Sequence, residues 1–225
     1  MRRVLSLYAT SIGKKYVMAV TGIVLCLWLI LHAVGNLKVF TGAQHFNEYG
    51  EFLRVIGAPV LGDSLLLWGV RALLLACLIL HVVATVQLWR QDAASRQVRY
   101  RKYEPQVFSW ASRTMRWGGI IVFLFVVFHI LHLTTGTVHP DFIAADPYHN
   151  IVLGLAVVPV ALFYVLAVCF LGLHLYHGIW SSFQTLGLNN TRYNAARRPL
   201  ALAVSLAVSV SFLSIPLAVL AGILR

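Results

Sequence analysis

Five apolar runs dominate this chain, and each is long enough to cross a lipid bilayer as a helix. They cover approximately residues 16–37, 65–89, 117–135, 151–180 and 200–224, against the roughly 20 apolar residues that one crossing requires. Hydrocarbon offers the backbone no water, so a spanning segment must bond its own N–H and C=O groups, as a helix does. Composition removes the soluble alternative. Hydrophobic residues make up 60% of the 225 and charged ones 11%, whereas a soluble chain carries about 25% charged residues. A 25.0 kDa soluble fold has no core that could hide so much apolar surface. The expected fold is therefore an all-α integral membrane protein of five transmembrane helices, a single membrane domain over 1–225. The fourth run is long enough to project to about Leu186, where Gly187, Asn189 and Asn190 offer a stop. Pro159 and Pro216 are expected kink positions, tolerable where neighbouring helices pack alongside.

The net charge of +11 would point to nucleic acid in a soluble protein; here it reads as topology, with lipid rather than nucleic acid as the partner. Arg2, Arg3, Lys14 and Lys15 precede the first run. Arg90, Arg96, Arg99, Arg101, Lys102, Arg113 and Arg116 separate the second from the third, and Arg192, Arg197 and Arg198 the fourth from the fifth. Those fourteen of the 18 cations share one side, while the connection between runs three and four has only Asp141 and Asp146. The positive-inside rule then predicts the N-terminus in and the C-terminus out. The first fifteen residues are too polar for a signal-peptide core, so the first run is expected to remain in the mature protein. Cys26, Cys77 and Cys169 lie within apolar runs and form no disulfide or zinc pattern.

Several function classes lack their chemistry. No run carries a buried Asp or Glu for an ion-coupled pump. No internal repeat suggests a transporter, and no phosphate loop or Ser-His-Asp arrangement points to hydrolysis. Histidine is what the runs hold in excess: His32, His81, His129 and His132, His174 and His177, on the first four. One such His would be read as an interhelical hydrogen bond. Six on four helices, without matching carboxylates, point to metal coordination, and neutral imidazole is a common ligand of haem iron.

Depth separates them into layers. His32 lies roughly 26 Å beyond Lys15, and His129 roughly 20 Å beyond Arg116. His81 is about 13 Å from Arg90, and His174 roughly 9 Å from Trp180, an interfacial anchor. An outer pair, His32 with His129, and an inner pair, His81 with His174, result, with the layers about 12 Å apart. Each pair draws on two helices, as clamping a planar macrocycle from both faces requires. Depth leaves His132, at roughly 24 Å beyond Arg116, open as an alternative to His129, and His177 as an alternative to His174.

At these residues the chain resembles the cytochrome b558 type of succinate dehydrogenase membrane anchor, the single-chain, five-helix, dihaem form. The matching stretches are Ser11–Gly42, His45–Arg54, Arg71–Ala84, Thr114–Gly136 and Leu171–Gly187. The most specific is GxxHxxHGxWS, read on Gly172, His174, His177, Gly178, Trp180 and Ser181. The resemblance implies a four-helix bundle holding two haems b, with axial ligands His32 and His129 for the outer and His81 and His174 for the inner. It also implies partners on the inner side: a flavoprotein with covalent FAD, which oxidises succinate, and an iron–sulfur subunit. This chain would be a subunit of the enzyme that does not itself bind succinate. It would pass electrons to quinone, menaquinone being favoured, in the cell membrane of a bacterium, within an assembly that could oligomerise further. Some dihaem relatives carry a Glu two residues before the inner ligand, tied to proton movement; here that position is Gly172, a departure from that pattern, and the resemblance implies no proton coupling through that route.

A quinone needs polar donors at the end of an apolar slot. Inner candidates are Ser112, Arg113, Arg116, His177 and Ser181; outer ones are Asn36, Lys38 and His132. Arg113 and Arg116 could instead hold haem propionates or act only as interfacial charges. Two alternatives stay within respiration, a fumarate reductase anchor and a haem b anchor of another oxidoreductase. A haem-free proton conduit using the histidines as a relay is the reading from a different class.

Overall fold

The computed structural model describes residues 8–95, 110–188 and 190–225, apart from the side chains of Pro59, Leu61 and residues 110–113. In chain order the helices are α1 (Ser11–Leu37), α2 (Ala43–Val55), α3 (Ala58–Leu61), α4 (Leu65–Ala94), α5 (Trp110–Leu133), α6 (Pro147–Ala156), α7 (Val158–Thr185) and α8 (Asn194–Leu220). Among the described residues there is no strand, and α1, α4, α5, α7 and α8 are long and apolar enough to cross a membrane. Their outward faces carry Leu31, Leu75, Leu124, Leu162 and Val210, all more than half exposed, which suits lipid rather than water.

Local chemistry sets the helix ends. The Thr10 hydroxyl accepts from the Gly13 N–H at 3.0 Å and caps α1, meeting one of the orphan donors of a first turn. Beyond α1 a 3₁₀ turn, Lys38–Thr41, closes at Gly42, whose φ of 99° suits a residue without a Cβ. Asp146 caps α6, with Pro147 in its first turn, where a missing N–H costs nothing.

The fourth apolar run is not one helix. It divides at Val157, which takes φ −73° and ψ 100° between α6 and α7. Pro159 explains the break, because it has no N–H for the Leu155 carbonyl and its ring would press on that turn. Pro216 has no such effect, and α8 continues through it as one helix. Helices α1 and α6 begin before their apolar runs, at Ser11 and Pro147, and the largest such extensions are those of α5, from Trp110, and α8, from Asn194. The first turns of α5 and α8 carry the arginines, which mark the edge of an apolar run but not the end of a helix.

The five long helices alternate in direction. At the proximal end the Tyr8 hydroxyl, just before α1, donates to Gln87 Oε1 near the end of α4 at 3.0 Å. There too the Arg116 guanidinium of α5 lies over Trp89 of α4, and Arg198 of α8 over Trp180 of α7. At the distal end Asn47 of α2 donates to Asp146 and accepts from the Tyr148 N–H, fixing α2 on α6. Helix α7 is central: it packs on α1, α5 and α8, while α4 packs on α1. Neither α1 with α5 nor α4 with α7 is among the closely packed pairs. The functional geometry depends on those two gaps.

Candidate functional site

Across each gap two imidazoles face one another. The rings of His32 on α1 and His129 on α5 are centred 6.0 Å apart at an interplanar angle of 86°. Those of His81 on α4 and His174 on α7 are 6.2 Å apart at 61°. The first pair is in the distal half of the bundle, the second in the proximal half. Of the alternatives left open by depth, His132 turns to stack on Phe128 and His139. His177 meets Trp180 instead.

These residues fit a metal held by two axial imidazoles. Metal–imidazole bonds of about 2.0–2.1 Å on opposite sides of one ion place the ring centres roughly 6 Å apart. At His81 the protonation is set by neighbours. The Thr21 hydroxyl spends its hydrogen on the Val17 carbonyl at 2.7 Å, so His81 Nδ1–H donates to the Met18 carbonyl at 3.1 Å. Nε2 is left with its lone pair free, the arrangement that orients a ligating histidine. His174 Nδ1 is buried and has no hydrogen-bond partner among the described residues. Two glycines keep the ground beside this pair clear. A Cβ on Gly22 would stand 3.2 Å from His81 Cε1, and one on Gly119 would stand 3.8 Å from His174 Cε1. Among the described residues no three of His, Cys, Asp and Glu come together as a metal-ion cage. A metal carried in a macrocycle would ask the chain for only two ligands, which each facing pair could supply.

Around the distal pair the sequence reasoning missed a polar cluster. Tyr164 of α7 brings its hydroxyl 3.3 Å from His129 Nδ1 and 3.0 Å from His132 Nδ1. His132 is 1% exposed, and its Nε2 has no partner among the described residues. His139 donates from Nε2 to the Asn150 carbonyl and accepts at Nδ1 from the Asp141 N–H. One signal existed: a tyrosine in an apolar span needs a partner for its hydroxyl.

The other sequence candidates scatter. Asn36 is one turn beyond His32 on the same face of α1, and Lys38 lies over the Tyr49 ring. Ser181 is half-buried and Arg116 is engaged with Trp89. The side chains of Ser112 and Arg113 lie outside the described residues, as do Arg2, Arg3, Arg96, Arg99, Arg101, Lys102 and Asn189 entirely. Two buried cations at the proximal end went unnoticed as candidates. Lys14 donates to the Ala9 carbonyl, and Arg197 keeps Nε and Nη1 without partners among the described residues. Lys14 also lines a cavity of about 350 Å³ with Tyr8, Gln87, Arg90 and Gln91. At Gly172 a Cβ would stand 2.5 Å from Ser209 Oγ, so a larger side chain there would have to displace that serine.

Fold and site together define a multi-pass helical membrane protein with paired histidines between its helices. Residues 90–214, more than half of the chain, match the family of the succinate dehydrogenase/fumarate reductase transmembrane subunit, and the chain belongs to that family. The matched stretch includes His129 and His174, while His32 and His81 precede it. No curated protein and no solved structure matches the chain.

Proposed function

We propose that this chain is the dihaem cytochrome b anchor of a succinate:quinone oxidoreductase. His32 and His129 ligate the outer haem, and His81 and His174 the inner one. The observation that carries this is the repetition of one geometry: two facing imidazole pairs, 6.0 and 6.2 Å apart, each between helices that do not pack closely. When bound, the haems supply reversible one-electron chemistry between the iron–sulfur partner and quinone.

The chain's own residues hold and orient. The Met18 carbonyl and Thr21 fix the His81 ring, and the apolar helices exclude water from both pairs. The proximal end, with its buried Lys14 and Arg197, faces the cytoplasm and docks the iron–sulfur and flavoprotein subunits; the cations there follow the positive-inside rule. Succinate gives up two electrons and two protons at the flavoprotein, and quinone, menaquinone in this reading, takes up two of each in the membrane. The family description covers both directions of that reaction, so fumarate reduction is the second reading. The membrane is the cytoplasmic membrane of a bacterium.

A dithionite-reduced minus oxidised spectrum with a pyridine haemochrome assay tests the cofactor reading. Two b-type haems per chain are expected. A folded chain, expressed with haem available and still without haem, overturns it. Co-purification of a covalent flavoprotein tests the assembly, and another partner in its place points to a different respiratory enzyme.

A further inference from the structure

The two histidine pairs are held by different means. His81 is tied to a helix carbonyl, which no side-chain change removes. His129 is tied to the hydroxyl of Tyr164, which also reaches His132. His129, proposed above as a ligand, can bond a metal through Nε2 while its Nδ1 faces Tyr164; Nδ1 must then carry the proton and donate to the Tyr164 oxygen. Two arrangements of the remaining hydrogens are then open. In one, His132 also donates to the phenol oxygen, stranding both the phenol hydrogen and the buried His132 Nε2 lone pair. In the other, the phenol hydrogen goes to His132 Nδ1, and only His132 Nε2–H lacks a partner. An unpaired buried polar group is costly, and the second arrangement leaves one such group where the first leaves two, so the second is selected.

We infer that Tyr164 is the positioning residue of the outer haem ligand, the middle of a directed chain running from His129 Nδ1–H to Tyr164 and from Tyr164 O–H to His132. The inference rests on the dihaem reading. Its consequence is electronic as well as steric. Accepting from His129 makes the imidazole a stronger donor to iron, which favours the oxidised metal, and the phenol's own donation to His132 polarises it toward that role. The chain therefore lowers the potential of the outer haem; at the inner pair the Thr21 hydroxyl also lies 3.2 Å from His81 Nδ1, but its hydrogen goes to the Val17 carbonyl and the His81 Nδ1–H to the Met18 carbonyl. His132 is held in place by the Phe128 and His139 rings, so the acceptor at the end of the chain is fixed.

The test is a redox titration of the full-length protein carrying Tyr164→Phe, with haem content measured in the same preparation. Both haems are expected to be retained. The midpoint of one component should rise while that of the other is unchanged, and the component that moves should be the one lost in His32→Ala. Unchanged midpoints with both haems present overturn the inference. If Tyr164→Phe loses the outer haem, His132→Leu carries the test, since it keeps the phenol and removes only its acceptor. A smaller rise of the same component is then expected, and no shift overturns the inference. Absence of haem from the unsubstituted protein is a different failure, that of the dihaem reading, and removes this inference with it.

Discussion

His81 and His174 hold their rings 6.2 Å apart although their helices, α4 and α7, are not among the closely packed pairs. A hydrogen-bonded histidine pair would draw its helices together; these stay separate. If each pair holds one haem, substitutions within a pair should act alike and substitutions across pairs should not. His81→Ala and His174→Ala are each expected to leave about half the haem, with the same reduced-minus-oxidised spectrum. His32→Ala and His129→Ala should give the complementary spectrum. Loss of the same spectral component in His32→Ala and His174→Ala would falsify the pairing.

Gly22 offers a test that leaves every proposed ligand in place. A Cβ there would already be 3.2 Å from His81 Cε1, tighter than ordinary van der Waals contact. A leucine must push the imidazole off its line to His174 or move α1 from α4, and overpacking of this kind typically costs about 1–3 kcal/mol. Gly22→Leu should therefore lose the inner haem and retain the outer one, reproducing the spectrum of His81→Ala. Full haem content in Gly22→Leu would show that the space beside His81 is not needed.

Much of this architecture was legible because hydrocarbon imposes a simple rule on sequence. Spans must be apolar for about 20 residues, so α1, α4, α5, α7 and α8 announced themselves, and histidines stood out against them. Residue counting put His32 level with His129 and His81 level with His174, because rise per residue is nearly constant in a helix. It left His132 and His177 open, and the family resemblance supplied the choice of His129 and His174. His129 and His132 differ by three residues and share a face, and in the structure the side-chain directions, toward His32 or toward His139, separate them. Pro159 marked the place of the division at Val157, expected only as a kink; that the run splits into two helices was concealed by its apolar neighbours, since a proline break changes backbone geometry without changing hydropathy. Tyr164 escaped for a related reason. In an aromatic-rich span it reads as bulk, and its role comes from where α5 places two histidines.

Asp146 predicts a pH effect at the distal end. Its carboxylate accepts from the His149 N–H at 2.9 Å and from Asn47 Nδ2 at 2.8 Å, and these bonds, the backbone one foremost, hold its pKa below the usual carboxylate value. A depressed carboxylate pKa contributes stability that is present above the unfolded-state value of about 3.9 and fades as pH falls through the folded-state value. Asp146→Ala removes the cap of α6 and should cost about 1 kcal/mol near neutral pH. Thermal unfolding in detergent should show that difference at pH 7 and show it shrinking below about pH 4. A difference that persists unchanged in acid would mean that the carboxylate charge plays no part.

Gly154 tests how rigid the distal cluster is. A Cβ there would stand 2.6 Å from His132 Cε1, 2.7 Å from His132 Nε2 and 2.8 Å from His139 Nε2. Real Cβ contacts are essentially never so short, and the obstructing atoms belong to rings held on several sides. His139 is bonded to the Asn150 carbonyl and the Asp141 N–H, and His132 is wedged between Phe128 and His139. Relief must come from moving α6 away from α5, which breaks part of this packing. Gly154→Ala should therefore destabilise the protein by about 1–3 kcal/mol, read as a lower midpoint of thermal unfolding in detergent. The His81–His174 pair lies in the other half of the bundle, so the inner haem spectrum should not change. A fully stable Gly154→Ala protein would mean that the His132–His139 stack yields easily, and a yielding His132 would make a poor fixed acceptor for Tyr164.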